Sequence, residues 1–150
     1  MNTEEKLKVL AGIASRLNGR GLTWAVGASL MLYLRGRVST FRDIDILVSE
    51  EHAGEAWQQL SAMGHEKPDV PSPRFRTRHI HHLVAGGVEV DLIAGFVIVD
   101  AEGPHECPLL DADIDTEADV MGQSVPLHSL KAWHRYYTLM GREQKARLCE

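Results

Sequence analysis

Thiols are scarce in this chain of 150 residues: Cys107 and Cys149 are the two cysteines, and neither belongs to a C-x-x-C pattern. A disulfide framework and a thiolate metal site therefore have no basis. Long apolar runs are missing as well. No stretch approaches the ~20 residues needed to cross a bilayer. The N-terminus, MNTEEKLKVL, is charged where a signal peptide has an apolar core. These absences predict a protein with no membrane segment and a cytoplasmic location. Excess positive charge is absent too: 16 Lys and Arg against 21 Asp and Glu give a net charge of −5. Broad nucleic-acid binding rests on phosphate neutralisation by Lys and Arg, so that class is disfavoured. A nucleotide is still allowed, because bound metal ions screen a triphosphate from carboxylates. Repeats, low-complexity tracts and long linkers are also lacking, so residues 1–150 read as one domain.

What is present alternates between helix and strand patterns. Residues 3–18 form an amphipathic helix, with Asn2 as its cap and Gly19 and Gly21 beyond its end. A short buried strand is expected over 22–26, then the small-residue turn Gly27-Ala28-Ser29 and a helix closing at Gly36. Strand 43–48 and helix 50–63 follow, then a proline-bearing loop over 66–73. Strands 78–85 and 88–94 form a hairpin at Gly86-Gly87, with another strand at 96–99. Residues 103–115 read as irregular and acidic. A second hairpin spans 118–121 and 124–127, and residues 129–148 form one last helix capped by Ser129. The class expected is α+β, a mixed twisted sheet with helices packed mainly on one face.

The chemistry concentrates in Asp43-Ile44-Asp45 and Asp91. In a strand, residues i and i+2 share a face about 6–7 Å apart, so Asp43 and Asp45 project together while Ile44 and Leu47 are read as turning inward. Like charges this close repel unless a cation lies between them. Mg²⁺ suits that position, since it takes oxygen ligands and commonly one or two carboxylates plus substrate phosphates. In Val88-Glu89-Val90-Asp91-Leu92 the apolar residues share one face and the acids the other. An adjacent strand would bring Asp91 laterally within ~5 Å, completing a site for two cations. Gly27 allows close backbone approach, the following helix start offers N–H groups to a phosphate, and Ser29 adds a hydroxyl.

The string WAVGASLMLYLRGRVSTFRDIDILV, with GVEVDLI later, resembles the polymerase-β-like nucleotidyltransferase superfamily. The closest likeness is to small bacterial members: the minimal nucleotidyltransferases and relatives of antibiotic-modifying enzymes. It covers residues 22–94 well and 124–148 loosely. The resemblance implies the nucleotidyltransferase fold and transfer of a nucleoside monophosphate from an NTP, such as ATP, to a hydroxyl. The acceptor would be a small molecule, an RNA or a protein. It implies that Asp43 and Asp45 bind two Mg²⁺ ions, that Asp91 binds the one activating the hydroxyl, and that Gly27 and Ser29 hold phosphates. A non-catalytic module of the same fold, binding a nucleotide or serving in a toxin–antitoxin pair, is the alternative. A homodimer that completes the site is compatible with so short a chain. The C-terminal segment departs from the family pattern: Gly141-Arg142-Glu143-Gln144-Lys145 replaces an aspartate-bearing motif.

Other residues have two readings. Arg42 is a phosphate contact or a counter-charge for the acids; Arg35 and Arg37 are the same or a solvated basic loop. His79 and His81 share a strand face and could coordinate Zn²⁺, but no third ligand has matching spacing. A polar strand surface is the expectation, with one histidine of His79, His81 and His82 able to face the groove of Asp91. Trp24, Trp57 and Trp133 lie in apolar patterns and belong to the core. Cys107 lies in a loop with no base partner.

Overall fold

The computed structural model describes residues 2–150. Helix α1 (Thr3–Leu17) starts where the sequence places it: the Asn2 Oδ1 accepts from the Glu5 N–H at 2.9 Å. Its Leu10, Ile13, Ala14 and Leu17 are buried at helical spacing. The strands β1 (Trp24–Val26), β2 (Ile44–Val48), β4 (His79–Ala85) and β5 (Val88–Ala94) follow the expected runs. Helix α2 (Ala28–Leu34) lies between β1 and β2, and α3 (Ala53–Leu60) follows β2, flanked by 3-10 turns at Glu50–His52 and Ser61–Met63.

Seven strands form one mixed sheet in the order β3-β4-β5-β2-β1-β9-β8, where β3 is His65–Lys67, β8 is Ile114–Val120 and β9 is Gln123–His128. β2 runs parallel to β5 and β1 parallel to β9; the remaining neighbours are antiparallel. Parallel pairing of β2 with β5 brings the two acidic strands together although 45 and 91 are far apart in sequence. Ile44, Ile46, Val90 and Leu92 are buried on the opposite face from the acids, in the core shared with α1 and α3.

Four local differences from the sequence reading have plain causes. Leu47 shares the face of Asp45 by strand alternation and is still buried, because Gly27 and Trp133 cover it. The proline-bearing loop begins after β3, not at residue 66. Residues 103–115 hold a strand, β7 (Gly103–Glu106), which pairs with β6 (Val97–Asp100), then a 3-10 turn at Asp111–Asp113 and the start of β8. The last helix is two helices, α4 (Leu130–Leu139) and α5 (Glu143–Arg147). They are split at Gly141, whose φ of +74° only glycine adopts without strain.

Trp24 and Trp133 are in the core, as expected, whereas Trp57 is half-buried and stacks on His81 at 4.0 Å. Arg35 and Arg37 are structural: Arg35 bonds Asp115 at 2.6 Å and the His128 carbonyl at 3.0 Å, and Arg37 bonds the Leu148 carbonyl at 3.0 Å. No helix among the described residues is long and apolar enough to cross a membrane.

Candidate active site

A polar row crosses four neighbouring strands. Register pairs Lys67 of β3 with His82 of β4, His82 with Asp91 of β5, and Asp91 with Asp45 of β2. Paired residues on adjacent strands project from the same face, so all four side chains meet on one surface of the sheet. Glycine 27 closes the row on the far side, where its N–H donates to the Asp45 carbonyl at 3.0 Å. That N–H is therefore engaged in the sheet, and what Gly27 contributes is room. A Cβ there would lie inside contact distance of the Trp133 ring and 2.7 Å from Leu47 Cδ1. The next residue, Ala28, is held at φ +54°, a left-handed conformation rare for a residue with a Cβ.

Asp45 is the electrostatic centre of the row. Burial first, then the neighbouring Asp91 and Asp43, push its carboxyl from 3.8 up to about 7. Asp43 precedes β2 on the same side, with its Oδ2 3.5 Å from Arg42 Nε. The Arg42 side chain is 90% exposed, a counter-charge at the rim of the site. Asp91 Oδ1 is bound to His82 Nδ1 at 2.6 Å, and His82 Nε2 reaches Asp69 Oδ1 at 2.7 Å. Burial alone would lower the His82 imidazole, but the hydrogen bonds to Asp91 and Asp69 outweigh it and raise its pKa. Lys67 bonds Glu89 at 2.6 Å, a contact that raises the lysine and lowers the glutamate. Of the three histidines in β4, His82 is the one facing the groove; His79 and His81 pair with Glu50 and Glu66 outside it.

Three carboxylates, one of them half-buried and reluctant to ionise, offer oxygen donors only, and a hard divalent cation would relieve their repulsion. The residues therefore fit Mg²⁺. Their ligating atoms do not all come within 4.8 Å of one another; among the described residues, the one trio that does is Asp100, Glu102 and His105 in the β6–β7 hairpin. In the aspartate site His82 draws on Asp91 and Arg42 on Asp43, leaving Asp45 between them.

Two hollows meet at Asp45. One, about 480 Å³, is bounded by Ser29, Asp43, Tyr137, Arg142 and Lys145. The other, about 580 Å³, runs from Asp45 and Asp91 toward Phe75, Ile80 and Phe96. Phe75 borders both. Lys145 Nζ donates to Ser29 Oγ at 2.9 Å, and burial with Arg142 nearby lowers the lysine's pKa. Arg142 lies over the Tyr137 ring at 5.6 Å. The sequence reading missed Arg142 and Lys145 as site residues. Their three-residue spacing around the start of α5, just after Gly141, was the available signal.

Comparisons with known proteins bear on the fold and the family. A nucleotidyltransferase from Thermotoga maritima superposes with a TM-score of 0.77 at 27% identity, covering 98% of this chain and 91% of that one. ANT(2'')-Ia, solved with adenylyl-2''-tobramycin, gives 0.64 at 14% identity over 96% and 87%. The lincomycin-bound lincosamide adenylyltransferase LnuA gives 0.59 at 14% identity over 100% and 99%. At those identities the last two speak to fold alone, which is the nucleotidyltransferase fold. Curated proteins give no match. The sequence model of the aminoglycoside-2''-adenylyltransferase family matches residues 9–149, nearly the whole chain, and the chain belongs to that family of nucleotidyltransferase enzymes.

Proposed function

We propose that this enzyme moves a nucleoside monophosphate from an NTP, with ATP the first candidate, to a hydroxyl of a small molecule, using two divalent cations. The observation that carries this is the register pairing of Asp45 with Asp91, beside Asp43 and opposite the Gly27-Ala28-Ser29 turn. Asp43, Asp45 and Asp91 would hold the cations, which supply charge neutralisation at the triphosphate and acidify the attacking hydroxyl. Family membership and an acceptor-bearing relative, ANT(2'')-Ia with adenylyl-2''-tobramycin, support a small-molecule acceptor over RNA or protein.

The chain's own residues divide the work between the two hollows. Ser29, Lys145 and Arg142 bind the phosphates in the smaller one, and Gly27 lets Trp133 and Leu47 pack closely beside it. Arg42 adds positive charge at the rim, where it also lines that hollow. The acceptor enters the larger hollow. Its hydroxyl oxygen bonds to the α-phosphorus as the bond to the bridging oxygen breaks, and pyrophosphate leaves with both electrons. Asp91 takes the hydroxyl proton, and His82 orients that carboxylate through Oδ1 so that the other oxygen faces the acceptor. Positioning and charge stabilisation dominate such a reaction.

Pyrophosphate release tests this. The full chain is incubated with Mg²⁺, each of the four NTPs and a panel of hydroxylated acceptors. Release that needs Mg²⁺ and an acceptor, and falls at least about 10³-fold in Asp45→Asn, is the expected result. Metal-independent release, or release unchanged by Asp45→Asn, would sink the reading.

A further inference from the structure

Resting on the transferase reading above, we propose that Asp69 is a positioning residue of the reaction: through His82 it fixes the Asp91 carboxylate, and so couples the loop bordering the acceptor hollow to the group that takes the hydroxyl proton. The arrangement of His82 is the first argument. Its Nδ1 lies 2.6 Å from Asp91 Oδ1 and its Nε2 lies 2.7 Å from Asp69 Oδ1. An ionised carboxylate only accepts, so the ring donates from both nitrogens. A ring held by Asp91 alone loses one bond when it turns about Cβ–Cγ. Held at both nitrogens, it loses two charge-assisted bonds. The other histidines of β4 are placed differently: His79 meets Glu50 and His81 meets Glu66, one carboxylate each, outside the groove.

The loop that carries Asp69 is the second argument. The Asp69 side chain is 46% accessible, and an exposed ion pair on a flexible segment would hold little in place. Here Pro68 precedes it and Pro71 and Pro73 follow, fixing φ on both sides, so little freedom is lost in making the contact. The segment is also tied down at its two ends. Lys67 pairs with His82 in the sheet. Beyond the prolines, the Val99 N–H donates to the Arg74 carbonyl at 2.7 Å, and the Arg76 N–H to the Val97 carbonyl at 3.1 Å. Pro68, Val70, Pro71 and Ser72 of the same loop line the larger hollow, where the acceptor enters. A carboxylate with one oxygen held by a pinned imidazole presents its other oxygen at a fixed angle. Partners standing behind a ligating or reacting group in this way are worth about 10–100-fold in activity.

The test is a double-mutant cycle on the full chain, read first by NMR in metal-free protein. The His82 ring N–H protons are identified as the downfield resonances that His82→Ala removes. In Asp69→Ala the Nε2–H signal should vanish and the Nδ1–H signal should broaden as the ring loosens from Asp91. An Nδ1–H signal that stays unmoved overturns the proposal. Pyrophosphate release is then measured with Mg²⁺, ATP and the fastest acceptor of the hydroxylated panel, tobramycin included. Asp69→Ala should lower kcat about tenfold and leave KM for ATP unchanged, and Asp69→Asn, which keeps an accepting oxygen, should recover part of the loss. Adding Asp69→Ala to His82→Ala should change kcat no further, because Asp69 acts through that ring. His79→Asn, outside the groove, should leave both constants as they are. Additive losses in the double variant overturn the proposal, as does a raised KM for the acceptor with kcat unchanged, since the loop would then act on binding alone. No release by wild-type protein with any acceptor is a separate result: it removes the transferase reading and this role with it, while the His82 signals still report the contact.

Discussion

Replacing Asp45 with asparagine removes one negative charge from between Asp43 and Asp91 and nearly preserves shape. In metal-free protein the Asp45 carboxyl has been pushed from 3.8 to about 7, by burial first and then by its two acidic neighbours. A carboxyl with a raised folded pKa holds its proton longer in the folded state. Its contribution to stability is therefore intact below pH 3.8 and is lost progressively as pH rises toward 7. Fully ionised, the group costs the fold on the order of 4 kcal/mol. Asparagine recovers part of this, since its amide still needs partners, so a gain of about 2 kcal/mol at pH 8 is the working figure. For a chain of this size that raises Tm by roughly 4–8 °C. The assay is thermal unfolding by circular dichroism in EDTA, at intervals from pH 4.5 to 8.5, for both proteins. The variant should be slightly the less stable near pH 4.5, and the two curves should cross as pH rises, the variant being the more stable at pH 8. Adding Mg²⁺ and ATP should stabilise wild type and leave the variant unmoved. A variant no more stable than wild type at pH 8 in EDTA, or a gap independent of pH, would refute the electrostatic account of the site.

Further consequences concern the turn, the C-terminal helix and a histidine. Gly27→Ala drives a methyl into Trp133 and Leu47 and should cost about 2–4 kcal/mol, whereas Ala28→Gly relieves a φ of +54° and should add about 0.5–1 kcal/mol; urea unfolding reads both. Lys145→Ala removes the cation bonded to Ser29 and should lower kcat/KM for the NTP by about 10–100-fold with Tm shifted by only a degree or two; an unchanged KM for the NTP would count against a phosphate role. His128 is fully buried, and its Nδ1 accepts from Trp133 Nε1 at 3.1 Å while its Nε2 has no partner. Burial holds its pKa down at about 4. The unfolded chain binds that proton near pH 6.5, so stability falls from there to pH 4 by up to about 3 kcal/mol. His128→Asn keeps an acceptor for Trp133 and should flatten this limb of the pH–stability profile; an unchanged limb would mean another group carries it.

The sequence made the local features legible where residues act through neighbours. Asn2 and Glu5 specify the start of α1, and Gly86-Gly87 specifies the β4–β5 hairpin, because capping and tight turns depend on a few consecutive residues. The carboxylates were legible through strand alternation and through the family likeness, although only the parallel register of β2 and β5 explains why 45 and 91 are neighbours. Strand β7 escaped because Gly103-Pro104-His105-Glu106 has no alternation; it forms by pairing with β6, where Pro104 faces Val99. Lys145 escaped because its partner, Ser29, is 116 residues away in sequence and the intervening Gly141 redirects the chain. Asp69 escaped for a similar reason: a proline-bearing loop has no periodicity to reveal which side chain turns toward His82.

The most direct measurement of the central claim is the anomalous scattering of Mn²⁺ in crystals grown with a non-hydrolysable NTP analogue. Peaks about 2.1–2.3 Å from carboxylate oxygens of Asp43, Asp45 and Asp91, with the triphosphate against Ser29 and Lys145, are the predicted result. Manganese bound instead at Asp100, Glu102 and His105, with no peak between Asp45 and Asp91, would contradict it.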